Sequence, residues 1–540
     1  MHGLMMKRHV LISDLLTHAE CHYATHCVVS CLVEGGQLRL TYQQLAQRAR
    51  QLAQALVHLG INKGTCVGTL AWNTHRHMEA YFAISGIGAI THTINPRLFP
   101  EQVQYIINHA EDHILLVDLS FVDLVRSLIA GLPAVQQIIV LTDRDHMPPD
   151  CDFLCYEDLL DAESGDFFWP EFPDDQAAAL CYTSGTTGNP KGVLYSHYST
   201  IMHAMAACRN DALGIGPASR ILPVVPMFHV CAWGTPYAAT LTGAHLVLPG
   251  PFLDGASLSK LIAQEQTDLL LGVPTVWLGL LEYLRQNQIR LPHVRQVVVG
   301  GSAAPLAMIR EFAEVHHIFL VHAWGMTELS PLGTVNLPTP ELMAMPPEQR
   351  FVQQQKQGRA VFGIELTIMD DAHQRLPHDG KTFGTLYVRG PWVASAYFRS
   401  DQSSFYEGWF CTGDIATITA DGMMQIVDRE KDVIKSGGEW ISSIALENAA
   451  LSFPGIQEAC VVGIQHERWG ERPLMLVVSV HEPDHGALRD HLAQHVARWW
   501  LPDTILCVDS IPHTATGKLS KKSVREHYHD YYLHHISCGE

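Results

Sequence analysis

The sequence predicts an α/β protein. It has a large N-terminal domain of parallel α/β sheets, a small β-rich subdomain and a small α+β C-terminal lid domain. At 540 residues the chain exceeds the usual size of a single core, and its 47% hydrophobic and 17% charged residues are typical of soluble globular proteins. Apolar runs alternate with amphipathic stretches over most of the chain. Beyond residue 363, short strands instead follow one another between Asp-Gly turns.

The N-terminal part alternates between apolar strands and amphipathic helices. Thr41 is the predicted cap of the first clear helix, which runs to about residue 59 with leucine and alanine on one face. Further apolar runs predict a helix at 77–87 and strands at 67–71, 89–94, 114–118, 138–141, 177–181 and 193–195. Ser199 is the predicted cap of the next helix. This order favours parallel sheets with crossover helices.

The same alternation continues in the middle of the chain. Strands are predicted at 269–271, 297–299 and 318–321, and helices begin at Pro274 and Pro305. The last two strands run into small or polar turns at 300–301 and 323–328. Open α/β sheets bind ligands at such strand ends, so we expect a site there.

Three segments complete the predicted organisation. The large domain spans 1–428 and includes the β-rich subdomain at 363–428, with strands at 364–369, 384–388 and 424–427. A charged hinge follows at 429–433. The lid domain, 434–540, has predicted helices at 444–451 and 487–500 and strands at 459–464 and 474–480.

Composition excludes several function classes. The net charge of −19 argues against a nucleic-acid-binding protein, because no basic surplus is present to neutralise phosphates. No apolar run is long enough to cross a bilayer, and we expect a cytoplasmic protein without a secretory signal. The thirteen cysteines are scattered, which predicts reduced thiols. Cysteines and histidines cluster at 21–31, but their spacing matches no common zinc site.

The segment 182–192, YTSGTTGNPKG, combines glycines, hydroxyls and one lysine. Glycines allow backbone N–H groups to approach an anion, and Lys191 adds a positive charge, so the loop suits a polyphosphate. It is not a Walker loop, because Pro190 precedes Lys191 and Gly192 follows it. The candidate nucleotide-binding residues in this loop are Thr183, Ser184, Gly185, Thr186, Thr187, Gly188 and Lys191.

This segment closely resembles the signature loop of the adenylate-forming superfamily, which includes acyl-CoA synthetases, adenylation domains and beetle luciferase. The stretch 324–328, WGMTE, resembles a second motif of that superfamily. The resemblance implies that Trp324, Gly325 and Met326 bind the nucleotide. It further implies that Thr327 contacts phosphate as a catalytic residue and that Glu328 holds Mg²⁺. Without that context, Glu328 would be an ordinary carboxylate at a helix start.

Other motifs extend the likeness over essentially the whole chain. The resemblance places Gly301 and Ser302 in the adenine-binding turn, Asp414 on the ribose hydroxyls and Arg429 on the nucleotide. Cys411 departs from the pattern, since relatives more often carry a basic residue there. Lys431 is the implied pivot of the hinge. The pantetheine tunnel for coenzyme A is implied to include Lys435, Gly438, Glu439 and Trp440. Lys518, in the final motif, is the implied catalytic lysine that enters for adenylation and leaves for thioester formation.

The segment 224–241 carries the substrate prediction. His229 matches a histidine near the acyl carboxylate, and Trp233 matches a gate tryptophan of the fatty acyl-CoA synthetase branch. The resemblance therefore implies an ATP-, Mg²⁺- and coenzyme-A-dependent ligase for medium- to long-chain fatty acids. It also implies a homodimer and peripheral membrane contact through the lipid substrate. Read alone, Trp233 would be a core aromatic.

Five alternatives compete with this interpretation. A close relative of the branch activates short or methylthio-alkanoate acids with the same motifs, and aromatic acids are less favoured. An adenylation enzyme that loads a carrier protein is disfavoured by the predicted coenzyme A tunnel. A luciferase-like oxygenase matches the motifs less well. A catalytically dead binding module is disfavoured by the intact Lys191, Glu328, Asp414, Arg429 and Lys518.

Overall fold

The computed structural model describes residues 3–183, 189–400, 405–437, 439–466, 468–479, 481–513 and 519–532, with only the backbone of residue 439. The first part contains helices α1 (Ile12–His22), α2 (Tyr42–His58), α3 (His75–Gly86), α4 (Pro100–Ala110), α5 (Val122–Leu128) and α6 (Tyr156–Asp161). Its strands are β1 (Cys27–Cys31), β2 (Gln37–Thr41), β3 (Cys66–Leu70), β4 (Ile90–Thr93), β5 (Ile114–Val117), β6 (Gln137–Val140) and β7 (Leu154–Cys155).

The middle of the chain continues the alternation. Its strands are β8 (Ala177–Thr183), β9 (Lys191–Ser196), β10 (Arg220–Pro223), β11 (His245–Leu248), β12 (Leu269–Gly272), β13 (Gln296–Val299) and β14 (Phe319–Gly325). Its helical elements are α7 (His197–Cys208), the short α8 (Val230–Trp233), α9 (Thr235–Thr242), α10 (Gly255–Glu265), α11 (Pro274–Gln286) and α12 (Leu306–Glu314).

The last part is richer in strands. It contains β15 (Leu332–Asn336), α13 (Pro340–Ala344), α14 (Pro347–Gln354), β16 (Arg359–Ala360), β17 (Glu365–Met369), β18 (Phe383–Arg389), β19 (Phe405–Tyr406), β20 (Trp409–Ile418) and β21 (Met424–Arg429). The C-terminal elements are β22 (Ile434–Ser436), β23 (Glu439–Ile441), α15 (Ser443–Leu451), β24 (Ile456–His466), β25 (Gly470–Ser479), α16 (His485–His495), β26 (Thr504–Cys507) and α17 (Lys521–Tyr528).

Two large sheets form the body of the protein. The seven-stranded sheet has the order β7-β6-β5-β3-β4-β8-β9, and only its β8–β9 pair is antiparallel. The nine-stranded sheet has the order β16-β15-β14-β13-β12-β10-β11-β1-β2, with parallel pairing from β14 to β1. The predicted parallel α/β sheets are therefore confirmed. The largest hydrophobic cluster joins side chains of both sheets, including Cys181 and Leu246.

Two smaller sheets follow. Strands β17 to β21 form an antiparallel sheet, which confirms the predicted β-rich subdomain. Strands β22 to β26 form a mixed sheet with α15, α16 and α17, which confirms the α+β character of the C-terminal part. The exact domain boundaries remain a prediction. In the described part of the chain, no helix is both long enough and apolar enough to span a bilayer.

Three local predictions are corrected. Ser196, not Ser199, caps α7, because Ser196 has an extended backbone and its side chain accepts a hydrogen bond from the Ser199 N–H. The Ser199 Oγ in turn accepts a hydrogen bond from the Ser196 N–H. The predicted helix at 487–500 ends at His495, since Val496 is extended. Strand β14 continues to Gly325, so the first part of the expected ligand turn is still strand.

The described cysteines and histidines can be placed in the structure. All twelve described cysteines are free thiols. The cysteines and histidines at 21–31 do not form a metal-binding group there; within the described residues, the one trio of suitable side chains is Glu34, Asp143 and His146.

Candidate active site

The ends of the predicted phosphate loop lie side by side. Strand β8 ends at Thr183 and β9 begins at Lys191, and these two residues are direct partners in the antiparallel register. The two described ends of the segment are therefore adjacent. Five predicted loop residues lie outside the described part of the chain: Ser184, Gly185, Thr186, Thr187 and Gly188.

Glu328 is a nearly buried carboxylate directly after β14. Its residue is 5% exposed, and its Oε1 accepts a hydrogen bond from the Tyr397 hydroxyl at 2.7 Å. Burial raises the pKa of Glu328, and the Tyr397 hydrogen bond partly offsets that rise. Among the described residues, no lysine, arginine or histidine forms an ion pair with it. A buried carboxylate without such a partner is a fitting ligand for a cation.

Thr327 is held next to Glu328 by its backbone. The Tyr195 hydroxyl of β9 donates to the Thr327 carbonyl oxygen at 2.6 Å. The phosphate-loop strand β9 and the Thr327–Glu328 turn are thus joined directly. Thr327 itself is buried in this turn.

Tyr397 connects Glu328 to Lys191. The Lys191 Nζ lies 4.9 Å from the centroid of the Tyr397 ring, a distance typical of a cation–π contact. Two residues that the sequence places in separate motifs are therefore joined by one aromatic side chain that the sequence analysis did not identify.

Asp414 forms a second buried carboxylate site. It lies on β20, is 1% exposed and accepts a hydrogen bond on Oδ2 from Trp324 Nε1 at 3.1 Å. Its Oδ1 forms an ion pair with Arg429 Nε at 2.8 Å, since the two residues are direct partners across β20 and β21. Three residues predicted to bind the nucleotide are thus in contact.

The glycine turn after β13 lies against the predicted gate. A Cβ atom added to Gly300 would lie 2.9 Å from the Trp233 ring and 3.2 Å from the Ala323 carbonyl oxygen. Only glycine therefore fits without displacing its neighbours. Gly301 follows with a φ of 81°, and the exposed Ser302 comes next. The structure brings Trp233 and the predicted adenine turn together.

The segment that carries His229 and Trp233 has an unusual backbone. Val230, Cys231, Ala232 and Trp233 have φ angles between 47° and 56°, so α8 is a left-handed turn. Each such residue costs roughly 1–2 kcal/mol, and strain of this kind tends to occur at functional sites. His229 immediately precedes the turn.

His203 packs against the end of this turn, and the sequence analysis did not identify this residue. A Cβ atom on Gly234 would lie 2.7 Å from His203 Nδ1, so the ring packs on the end of the turn. His203 Nε2 accepts a hydrogen bond from the Leu332 N–H at 3.2 Å. Burial lowers the pKa of His203 to about 3, so the ring is neutral and acts as an acceptor.

The predicted coenzyme A residues lie in the C-terminal domain. Lys435 on β22 and Trp440 on β23 are register partners, with Lys435 Nζ 5.7 Å from the Trp440 ring centroid. The Trp440 ring lies 5.3 Å from the Phe383 ring of the β-rich subdomain. Gly438, the Glu439 side chain and Lys518 lie outside the described residues.

The predicted pivot lies in a tight turn. The N–H groups of Asp432 and Val433 donate to the Arg429 carbonyl oxygen at 2.9 and 2.8 Å. Lys431 is exposed within this turn, between the end of β21 and the start of β22. The turn thus follows directly on the residue that pairs with Asp414.

Comparison with known proteins agrees with this geometry. A family model described as AMP-binding enzyme matches residues 17–398, and one described as AMP-binding enzyme C-terminal domain matches residues 445–518. The chain is 46% identical to the medium-chain-fatty-acid–CoA ligase of Ectopseudomonas oleovorans, covering 98% of each protein. It is 44% identical to the 3-methylmercaptopropionyl-CoA ligase of Ruegeria lacuscaerulensis, covering 98% of this chain and 99% of the relative.

A solved structure shares the fold. The anthranilate CoA ligase AuaEII, crystallised with anthranoyl-AMP, superimposes with a TM-score of 0.86 at 24% identity, covering 97% of this chain and 98% of that one. Two family models in their expected order, together with full-length similarity at 44–46% identity, lead to one conclusion. This chain belongs to the AMP-binding enzyme family.

Proposed function

We propose that this protein is an acid–thiol ligase that activates a medium- to long-chain fatty acid with ATP and transfers it to coenzyme A. The first product pair is acyl-adenylate and pyrophosphate, and the second is acyl-CoA and AMP. The observation that carries the proposal is that both buried carboxylates are linked to predicted nucleotide-binding residues: Asp414 to Trp324, and Glu328 through Tyr397 to Lys191. Full-length similarity to CoA ligases supports it.

The charges of this site suit the first half-reaction. A fatty carboxylate and the α-phosphate of ATP are both anionic, so the protein must supply positive charge and orientation. Lys191 and the hydroxyl-rich loop from Thr183 are proposed to hold the β- and γ-phosphates, with Thr327 as a further phosphate contact. His229, before the left-handed turn, is proposed to orient the acyl carboxylate.

Glu328 is the proposed holder of Mg²⁺. The residue is 5% exposed, and within the described part of the chain its carboxylate accepts one side-chain hydrogen bond, from Tyr397, so its oxygens fit a hard cation shared with phosphate oxygens. The ion would neutralise charge on the departing pyrophosphate.

The nucleoside is proposed to bind between two groups of residues. Asp414 would accept hydrogen bonds from the ribose hydroxyls, while Arg429 and Trp324 fix the orientation of its carboxylate. Gly301, Ser302, Gly325 and Met326 would border the base and sugar. Because Trp324 joins Asp414 to the strand that leads to Glu328, ribose and phosphate positions are set by one element.

A movable C-terminal domain is proposed to separate the two half-reactions. Lys518 would enter for adenylation and leave when the domain turns about Lys431. The segment with Lys435, Gly438, Glu439 and Trp440 would then border the coenzyme A tunnel. One lid face cannot serve both reactions, which is the physical reason for a hinge.

The fatty acid preference rests on the gate position and on the relative from Ectopseudomonas oleovorans. An apolar tunnel behind Trp233 would favour each additional buried methylene by roughly 0.8 kcal/mol. The second candidate is a short methylthio-alkanoate, which the 44% identity to the Ruegeria lacuscaerulensis enzyme favours.

One assay distinguishes these substrates. Acyl-CoA formation is measured with ATP, Mg²⁺ and coenzyme A across straight-chain acids from propionate to palmitate, with 3-methylthiopropionate and coumarate included. The proposal predicts that kcat/KM rises with chain length over the medium range. A maximum at 3-methylthiopropionate or coumarate would overturn the fatty acid assignment.

A Lys518→Ala variant tests the moving lid. It should lose adenylation but still convert supplied acyl-AMP to acyl-CoA. Equal loss of both half-reactions would contradict the moving lid.

We also propose that the protein works in the cytoplasm as a homodimer with transient contact to lipid surfaces. Sedimentation velocity tests the dimer, and vesicle flotation tests the lipid contact. A monomer at micromolar concentration would contradict the dimer. Absence of flotation with fatty-acid-loaded vesicles would contradict the lipid contact.

A further inference from the structure

A short segment of the β-rich subdomain is tied to both halves of the proposed phosphate site. At one end the Ala394 N–H donates to the Glu328 carbonyl oxygen at 2.7 Å. At the other end the Phe398 N–H donates to the Gly192 carbonyl oxygen at 2.8 Å. Gly192 follows Lys191 directly, so this segment fixes the backbone beside both Lys191 and Glu328.

The Tyr397 side chain lies between these two anchors. Its hydroxyl donates to Glu328 Oε1 at 2.7 Å, and its ring faces Lys191 Nζ at 4.9 Å. The residue is 9% exposed, and its ring also contacts Phe410 edge-on at 6.5 Å between centroids. Packing on Phe410 and two backbone anchors leave the Tyr397 ring little freedom to rotate.

We propose that Tyr397 is a positioning residue for the metal and the phosphates. Its hydroxyl fixes one oxygen of Glu328 and so directs the other oxygen of the carboxylate toward the cation. Its ring contacts the Lys191 ammonium and restrains it before ATP binds. The inference rests on the proposed function, because it assigns Glu328 to Mg²⁺ and Lys191 to the phosphates.

The physical reason is geometric. A carboxylate without an ion-pair partner can rotate about its side chain, and a hydrogen bond from a fixed donor restricts that rotation. Losing a partner that orients a metal ligand typically costs 10–100-fold in metal affinity. Lys191 would approach Glu328 directly if the ring were absent, because opposite charges attract across a site of low dielectric constant. The ring therefore keeps the lysine and the carboxylate apart and available for separate ligands.

The test measures ligand binding without catalysis. ATP is titrated into the protein by calorimetry with and without Mn²⁺, in the absence of any acid, so that no reaction occurs. We expect Mn²⁺ to tighten ATP binding to the unaltered protein. Tyr397→Phe, which keeps the ring, should lose roughly 10-fold or more of that gain while binding metal-free ATP within two-fold of the unaltered protein. Tyr397→Leu should in addition weaken binding of metal-free ATP, because Lys191 loses its aromatic contact.

Tyr42→Phe is the matched control. Tyr42 is fully buried and donates a single 2.7 Å hydrogen bond to the Ala244 carbonyl oxygen, so its loss carries a comparable cost in stability. It should keep the full Mn²⁺ gain. If Tyr397→Phe also keeps the full gain, the proposal is overturned. A double variant gives an independent check: in a Glu328→Gln background, Tyr397→Phe should cause no further loss of the Mn²⁺ gain.

The outcomes separate this inference from the proposed function. Acid-dependent pyrophosphate release with an unchanged Mn²⁺ gain in Tyr397→Phe would overturn the positioning role and leave the ligase standing. An unaltered protein that binds ATP no more tightly with Mn²⁺ would overturn both the role of Glu328 and that of Tyr397.

Discussion

Two regions of the site each contain a buried carboxylate, and they differ in how its charge is balanced. Asp414 pairs with Arg429 and accepts a hydrogen bond from Trp324. Glu328, in the turn that follows β14, accepts a hydrogen bond from Tyr397 and has no basic ion-pair partner among the described residues. The two carboxylates are similarly buried, at 1% and 5% exposure.

The difference indicates distinct roles. A carboxylate already paired with a guanidinium is fixed in place and can accept hydrogen bonds from neutral hydroxyl groups. A buried carboxylate without a cation is unfavourable by itself and becomes favourable when a metal ion arrives. The comparison therefore supports a ribose contact for Asp414 and a metal contact for Glu328. Three predictions test this contrast, from the largest expected effect to the smallest.

Glu328→Gln should have the largest effect on activity. Glutamine keeps an acceptor for the Tyr397 hydroxyl but removes the charge that we propose holds Mg²⁺. We expect kcat for acid-dependent pyrophosphate release to fall on the order of 100-fold or more. The exposed Glu341→Gln serves as a control for the change of charge and should leave kcat unchanged. A Glu328→Gln enzyme with near-normal kcat would refute the metal role.

Asp414→Asn should affect nucleotide recognition more than the chemical step. Asparagine retains one oxygen acceptor, yet Arg429 loses its ion pair. We expect the KM for ATP to rise roughly 10-fold with a smaller change in kcat. The diagnostic readout compares ATP with 2′-deoxy-ATP. The unaltered enzyme should prefer ATP, and the variant should lose most of that preference. Full preference in the variant would argue against a ribose contact.

The stability of the ligand-free protein should show the smallest effect. Burial raises the pKa of Glu328, so its contribution to stability is present at low pH and is lost as the pH rises through that raised pKa. Glu328→Gln should therefore raise Tm by roughly 1–3 °C near neutral pH, and the difference should shrink as the solution becomes acidic. Asp414→Asn should lower Tm instead, because it breaks an existing ion pair.

Differential scanning fluorimetry in EDTA, between about pH 5 and pH 8, measures both variants. A lower Tm for Glu328→Gln at every pH would mean that the Glu328 carboxylate is already stabilised in the ligand-free protein. The contrast between the two carboxylates would then be wrong.

Much of the fold could be predicted from local patterns. Apolar runs placed strands such as β5 and β13 within about a residue, because a buried parallel strand needs a continuous apolar segment. Sheet membership could not be predicted. Strand β1 pairs in parallel with β11, which lies far along the chain, and nothing in either segment specifies that partner. Ser199 was mistaken for the cap because Ser196 and Ser199 have the same side chain, and only the backbone conformation separates them.

The candidate site shows the same difference between residues within local motifs and residues that meet only in the fold. Trp324, Glu328 and Asp414 are singled out because their motifs resemble those of the adenylate-forming superfamily, and their roles stay predictions. Tyr397 could not be predicted, since it is 69 residues from Glu328 and carries no local pattern of its own. His203 could not be predicted either, because nothing in its local sequence distinguishes it from other helical histidines. Only the structure shows that its ring packs against Gly234. Contacts between distant segments are what the sequence alone leaves open.

The most direct test of the account is acid-dependent exchange between ATP and labelled pyrophosphate, in the presence of Mg²⁺ and without coenzyme A. Exchange under these conditions reports reversible formation of acyl-adenylate. We predict exchange with medium-chain fatty acids in the unaltered enzyme, strong loss in Glu328→Gln, and partial loss in Asp414→Asn that saturating ATP restores. Absence of acid-dependent exchange in the unaltered enzyme would contradict the proposal that this site forms an adenylate.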